Sequence, residues 1–289
     1  MHFILFSLIC SVLVGVLLKI VKKNNLSFYQ IITWNYVFAL LLTYLFYKPD
    51  FKANFSVSTG AILITLCILL PVIFIFQAKA IKYNGIVKTD IAQRLSLLIS
   101  SIAAFFIFQE HFNSYKIIGL FFAFAAIIFT LYKKNQTEKN ENKLHYLLLV
   151  LVGFGIIDVL FKAIAALKEI GFTDVLFFMF SGALLVSIII SAYYILIRKE
   201  TFGFKNILWG MGVGLLNFGN ITFYVNAHKT LPTNPSTVFA GMNMGVILLG
   251  SCIGILVFKE KMSKINYIGI LLALISILFI TYSAIAIKQ

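Results

Sequence analysis

Ten apolar stretches of membrane-spanning length, separated by short polar breaks, constrain this chain more than any other feature. A helix that crosses a bilayer needs about 20 mostly apolar residues. By that rule helices are expected near residues 2–21, 28–47, 58–80, 85–108, 115–132, 144–167, 174–197, 205–228, 234–258 and 265–286. The breaks carry charge or turn chemistry, as at Lys22-Lys23-Asn24-Asn25, Lys48-Pro49-Asp50, Tyr83-Asn84-Gly85 and Leu231-Pro232-Thr233-Asn234-Pro235. Of the 289 residues, 61% are apolar and 12% charged, against about 45–50% and about 25% in soluble domains. A soluble fold of this size cannot hide that much apolar surface. The expected class is an all-α membrane protein, with the lipid bilayer as its first partner.

The net charge of +14 does not point to nucleic acid. Lys and Arg gather in short clusters between apolar runs, not along one face or groove. Loops beside an anionic membrane surface look like this. Cys10, Cys67 and Cys252 lie inside apolar runs without CxxC or Cys/His spacing, so no disulfide framework, metal site or cofactor is expected. The stretch from Phe3 to Leu18 has no basic run before it and no A-x-A-like cleavage site after it, and is expected to remain as a helix. There is no GxxxxGK[ST] loop for nucleotide hydrolysis. An intramembrane enzyme would want clustered Asp residues or His-Glu-x-x-His. The four Asp residues are far apart and that motif does not occur.

The long polar stretch from Lys133 to Lys143 divides the chain almost in half. Residues 98–132 align with 248–282 at an offset of 150, with Phe108/Phe258, Glu110/Glu260, Gly119/Gly269, Phe129/Phe279 and Tyr132/Tyr282 among the identities. The first helices align at 143 through His2/His145 and Lys19/Lys162, and the third and eighth at 147 through Ala80/Ala227 and Lys82/Lys229. The expected organisation is a five-helix repeat over 1–132, a polar linker over 133–143 and a second five-helix repeat over 144–289. An odd number of helices makes the second copy enter from the opposite side. Many secondary transporters have such inverted repeats, with substrate bound near the midplane.

Gln77-Ala78-Lys79-Ala80-Ile81-Lys82-Tyr83, then Phe108-Gln109-Glu110, then Ile118-Gly119, resembles the signature of EamA-type transporters of the drug/metabolite transporter superfamily. The second half repeats it as Ala227-His228-Lys229, Phe258-Lys259-Glu260 and Ile268-Gly269. The resemblance implies ten helices in two inverted halves. It also implies a central cavity lined largely by the first, fourth, sixth and ninth helices, and both termini in the cytoplasm. The chain departs from the pattern in lacking Pro in the middle of the fourth and ninth helices. It also has Trp34-Asn35 where Arg is common in the second.

A charge at the bilayer centre costs at least about 2.5–3.5 kcal/mol, so each deep one needs a reason. Asp90 and Arg94 lie four apart on the fourth helix, and Asp158 and Lys162 four apart on the sixth. That spacing shares a helix face, with the acid in the better, N-terminal position. Such pairs would hold a charged or zwitterionic substrate or relay a proton, or would merely neutralise themselves beside a loop, where Lys162 can also snorkel. Asn217, Asn220, Tyr224 and His228 form a stripe on the eighth helix, and Asn243 on the ninth could face the same space. These would bind substrate or only bond a neighbouring helix. His228, near its helix end, is expected at the interface. Lys19 reads as a snorkelling anchor, and Glu110 and Glu260 as turn residues. Gly241xxxGly245 and Gly250xxxGly254 read as close-packing surfaces.

The expected function is secondary, non-ATP transport of a small metabolite, amino-acid-like or amphiphilic, in the export direction, through a central cavity by alternating access. Protons or another ion would couple it, in a prokaryotic inner membrane. The alternatives are a non-transporting scaffold, a lipid translocator and, less favoured, an intramembrane enzyme. On orientation, two lines disagree. Sixteen basic residues flank the face that carries the linker and seven the other. The positive-inside rule then puts the linker in the cytoplasm, opposite to the resemblance.

Overall fold

Apolar runs rich in Leu, Ile and Phe have no better way to satisfy their backbone in lipid than helix. The computed structural model describes residues 2–23, 26–49, 56–131, 143–167, 170–257, 259 and 263–286. Among them are ten helices and no strand. These are α1 (His2–Lys23), α2 (Phe28–Tyr47), α3 (Val57–Leu95), α4 (Leu97–Phe106), α5 (Ser114–Leu131), α6 (Leu144–Ala166), α7 (Phe172–Leu196), α8 (Phe204–Thr230), α9 (Pro235–Leu256) and α10 (Lys264–Ala286).

Six helical segments among the described residues are long and apolar enough to cross a membrane: Phe28–Tyr47, Val57–Ile81, Leu144–Ala166, Phe172–Leu196, Pro235–Leu256 and Lys264–Ser283. Shorter apolar stretches occur in α1, at His2–Leu18, and in α5, at Ser114–Thr130. The outer surface is greasy: Phe106, Phe121, Ile189 and Leu196 are 70–77% exposed. Water would not tolerate apolar exposure on this scale. The chain is a multi-pass integral membrane protein.

The third and fourth helices differ from expectation. Helical structure runs through the expected break at Tyr83-Asn84-Gly85, and the interruption falls at Ser96 instead. Even so, the chain doubles back within α3. Gln77 Nε2 donates to Gln93 Oε1 at 2.8 Å, whereas a straight helix would set them roughly 24 Å apart. At Ser96 the hydroxyl donates to the Gln93 carbonyl at 2.6 Å, and such local back-bonding competes with the helix ladder.

Two helix ends share one corner geometry. Gln109 and Lys199 have φ of 52° and 53°, and the next residue's N–H reaches six back, from Glu110 to Ala104 O and from Glu200 to Tyr194 O. Each corner is a left-handed helix end of the kind usually filled by glycine, built here without one. Lys259, 150 positions after Gln109, has the same left-handed φ of 52°.

In the helix packing, α5 lies on α10, α1 and α2 on α8, α3 on α6 and α7, α2 on α7, α4 on α6 and α9, and α1 on α9. The α2–α8 contact is at backbone range, since a Cβ on Gly214 would fall 2.6 Å from the Asn35 carbonyl oxygen. Gly245 likewise admits Leu8 of α1, whereas Gly250 faces open space. Of the two expected glycine surfaces on α9, the first is close-packed at Gly245; in the second, Gly250 is open and Gly254 is buried. The side chain of Lys19 and the whole of Glu260 lie outside the described residues.

Candidate functional site

The Asp90–Arg94 pair forms on the returning arm of α3, with Arg94 Nε 3.7 Å from Asp90 Oδ1. The expected Asp158–Lys162 pair does not. Asp158 instead accepts a hydrogen bond from Tyr224 Oη of α8 at 2.8 Å, and Arg94 lies within electrostatic reach of it. Lys162 turns toward the end of α6 and donates to the Pro232 carbonyl at 2.8 Å, its ammonium 5.7 Å from the Phe108 ring centre. It is buried, at 4% exposure, so it does not snorkel. The physical reason is that i,i+4 spacing offers a partner, but groups on neighbouring helices offer better ones. A phenol donates squarely to a carboxylate, and an open carbonyl at a helix corner accepts from an ammonium.

The stripe on α8 divides among its neighbours. Asn220 Oδ1 accepts from Ser7 Oγ of α1 at 2.7 Å. Tyr224 serves Asp158, and its ring meets Phe161 of α6 edge-on. Asn217 is buried, and its Nδ2 has no protein partner. Asn243 bonds its own helix, donating to Phe239 O at 3.0 Å. His228 is not interfacial: it is fully buried, edge-on to Tyr224 and Phe239 at 4.9 and 4.8 Å. Tertiary packing against α9 has drawn it inward.

A second polar cluster escaped sequence reasoning. Glu110 accepts from Lys116 Nζ, from Ser236 N at 2.9 Å and from Ser236 Oγ at 2.8 Å. Lys116 also donates to Asn234 Oδ1 at 3.0 Å. Glu110 does lie in the turn, as expected, but besides Lys116 six residues on, its partner is Ser236, 126 positions away. The one available signal was Pro235 at the start of α9, which marks a helix N-terminus whose free N–H groups attract a carboxylate. A groove of about 190 Å³ lies apart from both clusters, between α1, α9 and α10, lined by Ile4, Leu8, Thr237, Gly241, Gly245 and Ile280 among others. None of the expected site residues lines it.

Apolar-faced helices around charged side chains that bond one another across helices define a polytopic membrane protein with a polar interior. Residues 1–132 match the model of the EamA-like transporter family. The chain is 42% identical over 291 aligned residues to an uncharacterized protein of Haemophilus influenzae, with 98% of each covered. It also resembles in fold a protein of solved crystal structure, with a TM-score of 0.73 at 12% identity, over 100% of this chain and 98% of that one. The chain belongs to the EamA-like transporter family, and a small-molecule substrate follows from that membership.

Proposed function

We propose that this protein is a secondary transporter that exports a small metabolite across a prokaryotic inner membrane by alternating access. Its ten spans form two inverted five-helix repeats, 1–132 and 144–289, joined by the linker 133–143. The packing supports the repeat. Exchanging each helix for the one five places along turns α1–α8 into α6–α3, α2–α8 into α7–α3 and α1–α9 into α6–α4. The pairs α2–α7, α4–α9 and α5–α10 return to themselves.

The observation that carries the site is the Asp158–Tyr224 hydrogen bond with Arg94 close by. An acid and a base within electrostatic reach of each other, on packed neighbouring helices in lipid, suit a zwitterionic, amino-acid-like solute. Its carboxylate would meet Arg94 and its ammonium Asp158, with Asp90, Lys162, Asn217, Asn220 and Asn243 around them. Because a carboxylate that binds an ammonium also binds a proton, Asp158 is the group that exchanges the two, and a proton gradient drives export.

The test is flux from liposomes that contain only this protein and are loaded with a defined mixture of amino acids and amphiphilic amines. Release followed by mass spectrometry should depend on the protein and fall with Asp158→Asn. Equal release from protein-free liposomes would leave a scaffold or a lipid translocator.

A further inference from the structure

Burial changes abruptly along one line of ionisable side chains. Asn84 Nδ2 donates to the Lys143 carbonyl at 3.1 Å, so the reversal in α3 and the start of α6 share a face, here the linker face. On that side of the site the side chains of Asp90 and Arg94 are 40% and 15% exposed. Toward the opposite face, Lys162, Glu110, Lys116 and His228 fall to 4%, 3%, 0% and 0%.

Three of those four buried groups are tied to one short segment, residues 232–236, the end of the α8–α9 connection and the first residues of α9. Lys162 holds Pro232 O, Lys116 holds Asn234 Oδ1, and Glu110 takes both the amide and the hydroxyl of Ser236. Glu110 and Lys116 come from the α4–α5 corner of the first half, and the segment belongs to the second. Behind it lies His228, with no protein partner on either ring nitrogen. A buried polar group in that condition is costly, and the cost is relieved once water or solute reaches it.

We infer that residues 232–236 are the gate at the face opposite the linker, that Glu110, Lys116 and Lys162 hold it shut, and that His228 lines the path just inside. The inference rests on the transporter reading above. Every bond that holds the segment has an equivalent in water. Swinging it out exchanges protein partners for solvent around Lys162 and around the Glu110–Lys116 pair, whose charges offset each other, so the segment opens at modest cost. An apolar lid would have no such exchange.

The test needs no substrate. In a background with Cys10, Cys67 and Cys252 replaced by Ala, His228→Cys reports access behind the gate and Asp90→Cys reports the linker face. A membrane-impermeant sulfonated thiol reagent is applied to each face in turn, using intact cells and inverted vesicles. Glu110→Gln with Lys116→Gln should speed labelling of His228→Cys from the face opposite the linker by about tenfold or more. Labelling of Asp90→Cys from the linker face shows that the variant is folded and inserted. If the double variant does not accumulate, Lys162→Gln removes the Pro232 bond alone and should speed labelling by about threefold. An unchanged rate in a folded variant overturns the gate, as does rapid labelling with Glu110 and Lys116 intact. Faster labelling without solute flux keeps the moving segment and overturns transport; flux with an unchanged rate does the reverse.

Discussion

Gly119 of α5 and Gly269 of α10 occupy reciprocal places in one helix contact. A Cβ on Gly119 would fall 2.6 Å from Ile280 Cγ1 and 3.2 Å from Ile280 N, and one on Gly269 would fall 2.3 Å from Thr130 N. Both glycines and both contacted positions are related by the same offset of 150. The two helices therefore run antiparallel about a local two-fold axis perpendicular to them. Gly269 faces backbone, which cannot step aside, whereas Gly119 faces chiefly a side chain. Gly269→Ala should cost about 1–3 kcal/mol of stability and Gly119→Ala less, as thermal unfolding in detergent would show. Equal costs would mean that the contact relaxes as a whole.

Tyr224→Phe removes the one hydroxyl that bonds Asp158. A hydrogen bond to a charged group contributes about 1.5–3 kcal/mol. The variant should therefore transport more weakly but still be driven by a gradient, while Asp158→Asn should lose the driven component altogether. Flux measured with and without an imposed pH gradient separates the two. Full driven transport by Asp158→Asn would remove that carboxylate from coupling.

Glu110→Ala leaves the Lys116 ammonium fully buried beside a single amide oxygen. Breaking a buried pair on one side costs about 3–5 kcal/mol. The double change Glu110→Gln with Lys116→Gln should cost less, because no lone charge remains inside. Melting temperatures should then fall in the order wild type, double variant, Glu110→Ala. If Glu110→Ala melts with the wild type, Lys116 has found another partner.

Two of the seven basic residues assigned to the face opposite the linker, Lys116 and Lys162, are buried. Held inside the protein, they add little attraction to an anionic membrane surface, so the bias toward the linker face sharpens. The linker should lie in the cytoplasm and both termini outside. A cysteine placed in it, with the native three replaced, should resist an impermeant thiol reagent in intact cells. Rapid labelling there would restore the orientation that the family resemblance implies.

Helix positions were legible because lipid demands apolar length, and length is written locally. The exception is instructive. Asn84-Gly85 reads as a break, and the chain does reverse near it, but the reversal keeps helical structure, while the interruption falls at Ser96, which carries no charge or turn signal. The contact of α5 with α10 was foreshadowed by Gly119/Gly269, a pair at the 150 offset that composition alone would not match. The site was less legible. Spacing identifies which side chains share a face of one helix, and it put Asp158 with Lys162. It carries nothing about what stands across the gap, where Tyr224 and Pro232 proved the better partners. Lys116 with Asn234 and Glu110 with Ser236 leave no local pattern at all.

The far end of the linker is fastened to the first half. Lys143 bonds Asn84 through its carbonyl and sets its ammonium 4.3 Å from the Tyr83 ring centre, and Tyr146 stacks on Tyr83 at 5.5 Å. The entry to α6 is thus positioned by side-chain contacts as well as by the covalent thread that leads to it. Severing that thread between residues 133 and 142 should not scatter the molecule. Two polypeptides made separately in one cell should dock through these contacts and the α5–α10 pair, and co-purify as a working whole.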